Sequence, residues 1–541
     1  MSILSFHKSR YFCAASRRWV TFWCSAGLLF CLASAVSGRQ VKVVIQPPVD
    51  SHARVLIEVI GDPIRIWSFP NTYAGVTELG NRIERLEAFD TAGAEIAVRK
   101  LAPGQFEAAQ AAVRFRYEVN LSPPEQPSDA ARLSWLNPAR GLLMLADLLP
   151  TDRLEEGKVA SGEKKGKPAE STTVRIMVPN SWAVYSNESQ NPAGDIPAVP
   201  RGEVQKELTF AVPDVERAVF ALGSQLRVSQ MLASGMTLRL VADGEWAFSD
   251  SDALKMAGDV LKVDREVFGA MPSKQGTLIL LPFPQPAATS KWSAETRSST
   301  VTLLMGKLPS KTAALSQLSV PLTHELFHLW VPNGLTVTGD YDWFYEGFTV
   351  YQAARTAVRL GLLTFQEFLN AIARAYDAYV TAVDHDRWSL VEASKRRWTA
   401  GAPSVYAKSM VVAFLYDLKL RNQSRGKHSL DDVYRKIFQG YRAADTGLNK
   451  VAAGQGTDGN DAAANALASD SGMQGFVRQF IREPVTISLA AELAPFGLRV
   501  ETFGLRTRLS VGEQLSKPQR DLLRELGYND AARSSTQKKH S

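Results

Sequence analysis

The apolar residues change their period once along this chain, and that change limits the fold more than any other feature of the sequence. From Val41 to about Ala242 they recur at every second position. Val113, Phe115, Tyr117 and Val119 alternate with Arg114, Arg116 and Glu118, the pattern of strands with one wet face. Similar short runs lie at 54–60, 95–98, 174–178 and 236–241. Beyond Asp250 the period becomes helical, first over 252–268, and a single apolar strand at 277–281 ends at Pro282. The expected architecture is therefore multidomain. An N-terminal all-β sandwich-like domain (36–245) precedes an α+β domain (246–445), a mostly helical C-terminal part (446–505) and a tail (506–541). Thr364 with Glu367 three residues on predicts a capped helix running to Val380, and Ser429 with Asp432 repeats the signal before 433–438. Residues 155–173 read as a solvated loop and 452–472 as a loop or linker. No internal repeat is present.

With 541 residues, 45% of them hydrophobic and 22% charged, a wholly disordered chain is excluded. The formal charge of +7 suggests an acidic partner, but Lys8, Arg10, Arg17 and Arg18 supply four of those charges in a segment without Asp or Glu. The remainder, +3, is no signature of nucleic-acid binding. The same segment has basic residues, then an apolar run over 19–36, then Ala33-Ser34-Ala35 as a small-residue cleavage site. It predicts a signal peptide (1–35) and an exported protein, periplasmic or secreted. The alternative is an uncleaved membrane anchor formed by residues 19–36. Lipidation at Cys31 is disfavoured by bulky Phe30. All three cysteines (Cys13, Cys24, Cys31) lie here, so the mature domains would hold together without disulfides.

The chemistry is concentrated in His324-Glu325-Leu326-Phe327-His328. On a helix, which Ser319 is placed to cap and Pro321 to open, residues four apart share a face, so both imidazoles can reach one zinc ion at about 2.0–2.1 Å. Glu325 between them can act as a base towards a bound water. A catalytic zinc needs a third protein ligand and an open position. Downstream, Asp342 is placed to cap a second helix carrying Glu346, a carboxylate among Trp343, Phe344, Tyr345 and Phe348. A lone carboxylate in such surroundings is costly unless paired or metal-bound, which makes Glu346 the candidate third ligand. The bland readings are an amphipathic helix with two incidental histidines and a solvent-facing Glu346.

HELFH followed by WFYEGFTVY resembles the gluzincin metallopeptidases, and within them the glycyl aminopeptidase family, with the aminopeptidase N family more distant. Residues 293–300 (SAETRSST) resemble that family's G-L-E-H-R-N-S-T edge strand, and Tyr406-Ala407-Lys408-Ser409 resembles its Y-x-K-G motif. The resemblance implies a thermolysin-like catalytic domain with one Zn2+, Glu325 as catalytic base and Tyr406 as donor to the oxyanion. It also implies Glu295 as the carboxylate that receives a substrate's α-amino group, with Arg297 either paired to it or meeting substrate. On residues alone Tyr406 is an ordinary aromatic and Glu295 an ordinary Glu beside Arg297.

The expected function is an exported zinc metallopeptidase, an aminopeptidase acting on peptides with a free N-terminus. The alternatives are an endopeptidase of the same clan and a catalytically weak peptide-binding or chaperone-like envelope protein. Two departures bear on specificity: Trp292 and Ser293 stand where the family has glycines, and Ser409 replaces the glycine of Y-x-K-G. About 40 residues follow Val500, too few for the PDZ domain many relatives carry. His385, His428 and His52 read as loop or turn residues, and Asp458, Asn460 and Asp461 lack the spacing of a calcium loop. No phosphate-binding loop or basic aromatic stripe points to nucleotide or nucleic acid, and a membrane enters only through the N-terminal segment.

Overall fold

The computed structural model describes residues 39–45, 53–151, 171–190, 205–443, 456–470 and 472–529. The expected signal segment, its cysteines, His52 and nearly all of the 155–173 loop lie outside the described residues.

The chain opens with two β-sheets. The larger has nine strands, with Gln40–Ile45, Arg54–Ser68 and Gln105–Asn120 at its centre; the smaller has four, Ala183–Ser186, Val219–Gly223, Arg140–Met144 and Trp135–Leu136. Val43, Val55, Ile57, Tyr117 and Ile176 from the first share one buried core with Val184, Leu143, Phe220 and Leu222 from the second. Burying such alternating faces against each other is what drives two sheets together. The alternation predicted at 113–119 holds at Phe115, Tyr117 and Val119 but slips at Val113, where the pairing with Arg54–Ser68 shifts register and Ala112 turns inward instead.

The next sheet corrects one boundary. Arg227–Ala233 and Met236–Ala242 do not belong to the first pair of sheets. Met236–Ala242 runs parallel to Gln275–Pro282, in a five-stranded sheet that continues through Thr300–Met305 to the edge strand Trp292–Arg297. Alternation identifies a strand but not the sheet it joins, so a boundary placed at 245 cuts this sheet in two.

The rest is mainly helical. Ser249 and Asp252 form a capping box on Asp250–Phe268, which Gly269 ends at φ +82°. Thr364 and Glu367 cap Phe365–Val380 as their spacing predicts. The helix bearing His324 starts earlier than expected, and it ends before His328. It spans Lys311–Glu325, is capped by Ser310 rather than Ser319, and carries Pro321 in its interior. The missing N–H of Pro321 made it look like a first-turn residue.

Two further expectations are corrected at the C-terminus. Gly459–Ala468 is a helix capped by Asp458, not a linker. Its buried face is built from Ala462, Ala463, Ala464 and Leu467, small side chains that give little apolar period. Residues 506–529 are not a loose tail either. Leu498–Phe503 and Arg506–Val511 pair as a hairpin, the helix Lys517–Glu525 follows, and Leu509, Leu522 and Leu523 join the main core. Among the described residues no helix is long and apolar enough to cross a membrane.

Candidate active site

His324 ends its helix and His328 sits on the tighter turn Phe327–Leu329 that follows. Their Nε2 atoms are 3.0 Å apart. Glu346 Oε2 lies 3.3 Å from Nε2 of His324 and 3.7 Å from Nε2 of His328. A tetrahedral ion with ligands at about 2.0–2.1 Å separates its donors by about 3.3–3.4 Å, so these three atoms fit zinc. They form the single His/Cys/Asp/Glu group able to hold a metal among the described residues. His328 donates Nδ1–H to the Val331 carbonyl at 2.8 Å, which fixes the tautomer and leaves Nε2 facing the other two donors.

Glu346 lies on a π-helical turn, Trp343–Phe348, that runs into the helix Thr349–Arg359. Turns of this kind often mark functional positions because they re-aim side chains. Asp342 precedes the turn but makes no side-chain cap. It accepts a hydrogen bond from the Tyr345 hydroxyl at 2.5 Å and pairs with Arg397 at 2.9 Å. Arg397 also reaches Glu346 Oε1 at 2.8 Å, leaving Oε2 for the metal. Burial works against an ionised Glu346, but Arg397 and the two histidines hold it well below the usual carboxylate range. Trp343, Phe344 and Phe348 are buried on the same turn, yet the polar support of Glu346 comes from an arginine that the sequence alone did not single out. Replacing Arg397 by Met strands two buried carboxylates. The metal-free protein should lose about 3–5 kcal/mol in urea unfolding under chelator. Turnover at saturating zinc should fall roughly 10–100-fold, because the ligand is no longer oriented.

Glu325 is buried, and its Oε2 accepts a hydrogen bond from the Thr296 hydroxyl at 2.7 Å. Thr296 lies on the edge strand, beside Glu295. Asn333 ties the same strand to the histidine turn, donating to the carbonyls of Thr296 (3.2 Å) and His328 (3.1 Å). Base and edge strand are therefore one rigid unit. Glu295 Oε2 is 3.5 Å from Arg132 and its Oε1 3.9 Å from Arg297. Burial raises its pKa, and the two arginines work against that rise. Arg297 is buried, donates to the Arg132 carbonyl at 3.0 Å and lies over the Tyr73 ring.

Tyr406 sits on a second π-helical turn, Ser404–Lys408, with the Arg397 guanidinium 5.5 Å from its ring. Burial and Glu346 push its phenol up, so it stays protonated as a donor at neutral pH. The two π turns meet at Gly347, where a Cβ would collide with Ser409 Cβ and the Val405 carbonyl. The departures at 293 and 409 have structural uses. The Ser293 hydroxyl donates to the Ser128 carbonyl at 2.6 Å, docking the edge strand on the N-terminal β region, and the Ser409 hydroxyl donates to the Ser404 carbonyl at 3.0 Å. Thr296, Arg397 and Arg132 were missed. Only Thr296 had a signal, its place inside the quoted edge-strand motif.

The remaining candidates do not gather into sites. His385 hydrogen-bonds the Ala382 carbonyl, His428 precedes a helix on an exposed turn, and Asp458 caps with its side chain.

Residues 318–414, which hold both histidines, Glu325, Glu346 and Tyr406, match the model of the M61 glycyl aminopeptidase family. No curated protein sequence matches the chain. Among solved structures, an aminopeptidase N family protein from Idiomarina loihiensis is 17% identical, covering 86% of this chain and 79% of its own, at a TM-score of 0.67. An M1 zinc metallopeptidase from Deinococcus radiodurans is 14% identical, covering 84% and 95%, at 0.51. A mutant of the latter bound to a Tyr-Ser-Ala substrate superposes equally, at 0.51. At these identities the likeness is one of fold: a β-rich N-terminal region followed by a helical C-terminal region.

Proposed function

We propose that this zinc-dependent, aminopeptidase-like enzyme is exported and removes single residues from the free N-terminus of peptides, through a thermolysin-like arrangement around one zinc ion. The observation that carries the reading is the hydrogen bond from Thr296 to Glu325, which fixes the base against the strand that bears Glu295. An ammonium held by Glu295 would bring the first peptide bond, and no later one, within reach of the base.

A zinc ion held by His324, His328 and Glu346 would supply a Lewis acid and lower the pKa of a bound water from 15.7 to about 7. Glu325 takes the proton from the attacking water and returns it to the leaving amine, a role worth about 10²–10⁴ in rate. Thr296 keeps its carboxylate aimed throughout. The Tyr406 hydroxyl, held protonated, donates to the developing oxyanion, a contact worth about 10²–10³. Export is supported by the basic, apolar and small-residue order of the first 35 residues.

The endopeptidase alternative is favoured by one observation, the two arginines that already neighbour Glu295. A single peptide presented free or N-acetylated to the zinc-loaded protein separates the readings. Stepwise release of single residues from the free form alone is expected; equal cleavage of the acetylated form would make this an endopeptidase.

A further inference from the structure

We propose that Arg132 is a specificity-determining residue that selects an N-terminal substrate residue bearing a side-chain carboxylate, aspartate or glutamate. The proposal rests on Glu295 as the amine anchor. Arg132 comes from the N-terminal β region, between the turn Pro127–Asp129 and the strand Trp135–Leu136. Its backbone is pinned to the edge strand. Arg297 donates to its carbonyl at 3.0 Å, and the neighbouring Ala131 N–H and Ser128 carbonyl both bond the Ser293 hydroxyl. The side chain therefore projects from a fixed wall, beside Glu295 and with its guanidinium 5.4 Å from the Trp398 ring.

Glu295 is the carboxylate that Arg132 and Arg297 both neighbour. An incoming ammonium that pairs with Glu295 takes that anion from the arginines, and a substrate carboxylate replaces it. The arginines around Glu295, Arg397 included, are not equally available. Arg397 is taken by Glu346 and Asp342. Arg297 is 6% exposed beneath Tyr73. Arg132 is 25% exposed, and the anion beside it is Glu295, 3.5 Å from its Nε, an ion pair without a hydrogen bond. A planar guanidinium in that position matches a carboxylate with two parallel hydrogen bonds, which an amide cannot reproduce.

The test uses the zinc-loaded full chain and C-terminally amidated tripeptides X-Ala-Ala, with X as Glu, Gln, Asp, Asn or Ala. The wild type should favour Glu over Gln and Asp over Asn in kcat/KM by about 10–100-fold. Arg132→Met should collapse both ratios towards one, and Arg132→Lys should keep part of them. No acidic preference in the wild type, or ratios unchanged in Arg132→Met, would overturn the proposal. Free Ala-Ala compared with its amide covers the other source of a carboxylate. A preference for the free acid that Arg132→Met abolishes would place the carboxylate at the substrate's far end and overturn the side-chain assignment. If no peptide turns over, or acetylated peptides are cut equally, the aminopeptidase reading fails on its own. Calorimetric binding of glutamate and glutamine to zinc-loaded Glu325→Gln then decides Arg132. Tighter glutamate binding that the added Arg132→Met removes supports it, and equal binding rejects it.

Discussion

Glu325→Gln should lower kcat by about 10²–10⁴-fold while zinc content and unfolding midpoint stay at wild-type values. The substitution keeps the shape of the side chain and an oxygen to accept the Thr296 hydroxyl, so the bond that fixes it survives. What it removes is the capacity to hold a proton between the attacking water and the leaving amine. Metal analysis of the purified variant beside a steady-state assay checks both halves of the expectation. A variant that retained turnover would take the base role away from Glu325, and one that lost zinc would show the carboxylate to be part of the metal site's frame.

Gly347→Ala should act through packing. The added methyl meets Ser409 Cβ and the Val405 carbonyl, and neither can swing away, because Val405 belongs to the facing π turn and Ser409 opens the helix that continues it. Overpacking of this kind costs about 1–3 kcal/mol, read as a shift in urea midpoint. The larger effect is on rate. Glu346 precedes Gly347 and Tyr406 lies on the facing turn, so separating the turns moves the proposed metal ligand away from the proposed oxyanion donor. A displacement near 1 Å is worth about 10²-fold in kcat. Combining Gly347→Ala with Ser409→Gly should recover part of both losses, because one of the two collisions is removed. Full activity in Gly347→Ala alone would mean that the turns have slack the geometry does not suggest.

The metal triad could be read from the sequence because its geometry is local: His324 and His328 are four residues apart, and Glu346 stood out as a carboxylate surrounded by aromatics. Helix starts at Thr364 and Ser429 were equally local, each written in a capping box. What could not be read were contacts between elements whose packing no period encodes. Thr296 reaches Glu325 across 29 residues, Arg397 reaches Asp342 across 55, and Arg297 reaches the Arg132 carbonyl across 165. The strand at 236–242 was legible as a strand but not as a member of the later sheet, since its alternation fits either one. The helix Gly459–Ala468 was hidden by its own composition, because alanine contributes little amplitude to an apolar period while packing well against a neighbour.

The docking of the edge strand on the N-terminal β region has a consequence for how such enzymes diversify. The base and metal ligands all come from the later part of the chain, whereas the wall that carries Arg132 comes from the earlier part, joined through Ser293 and Arg297. Recombination that exchanged the β region alone would present a different side chain to Glu295 and leave the bond-breaking apparatus as it was. Substrate diet and chemical power would then be inherited separately, provided the exchange kept the seam between them, the apolar layer of Trp135, Leu142, Val241 and Ile279 with the Ser293 and Arg297 bonds beside it.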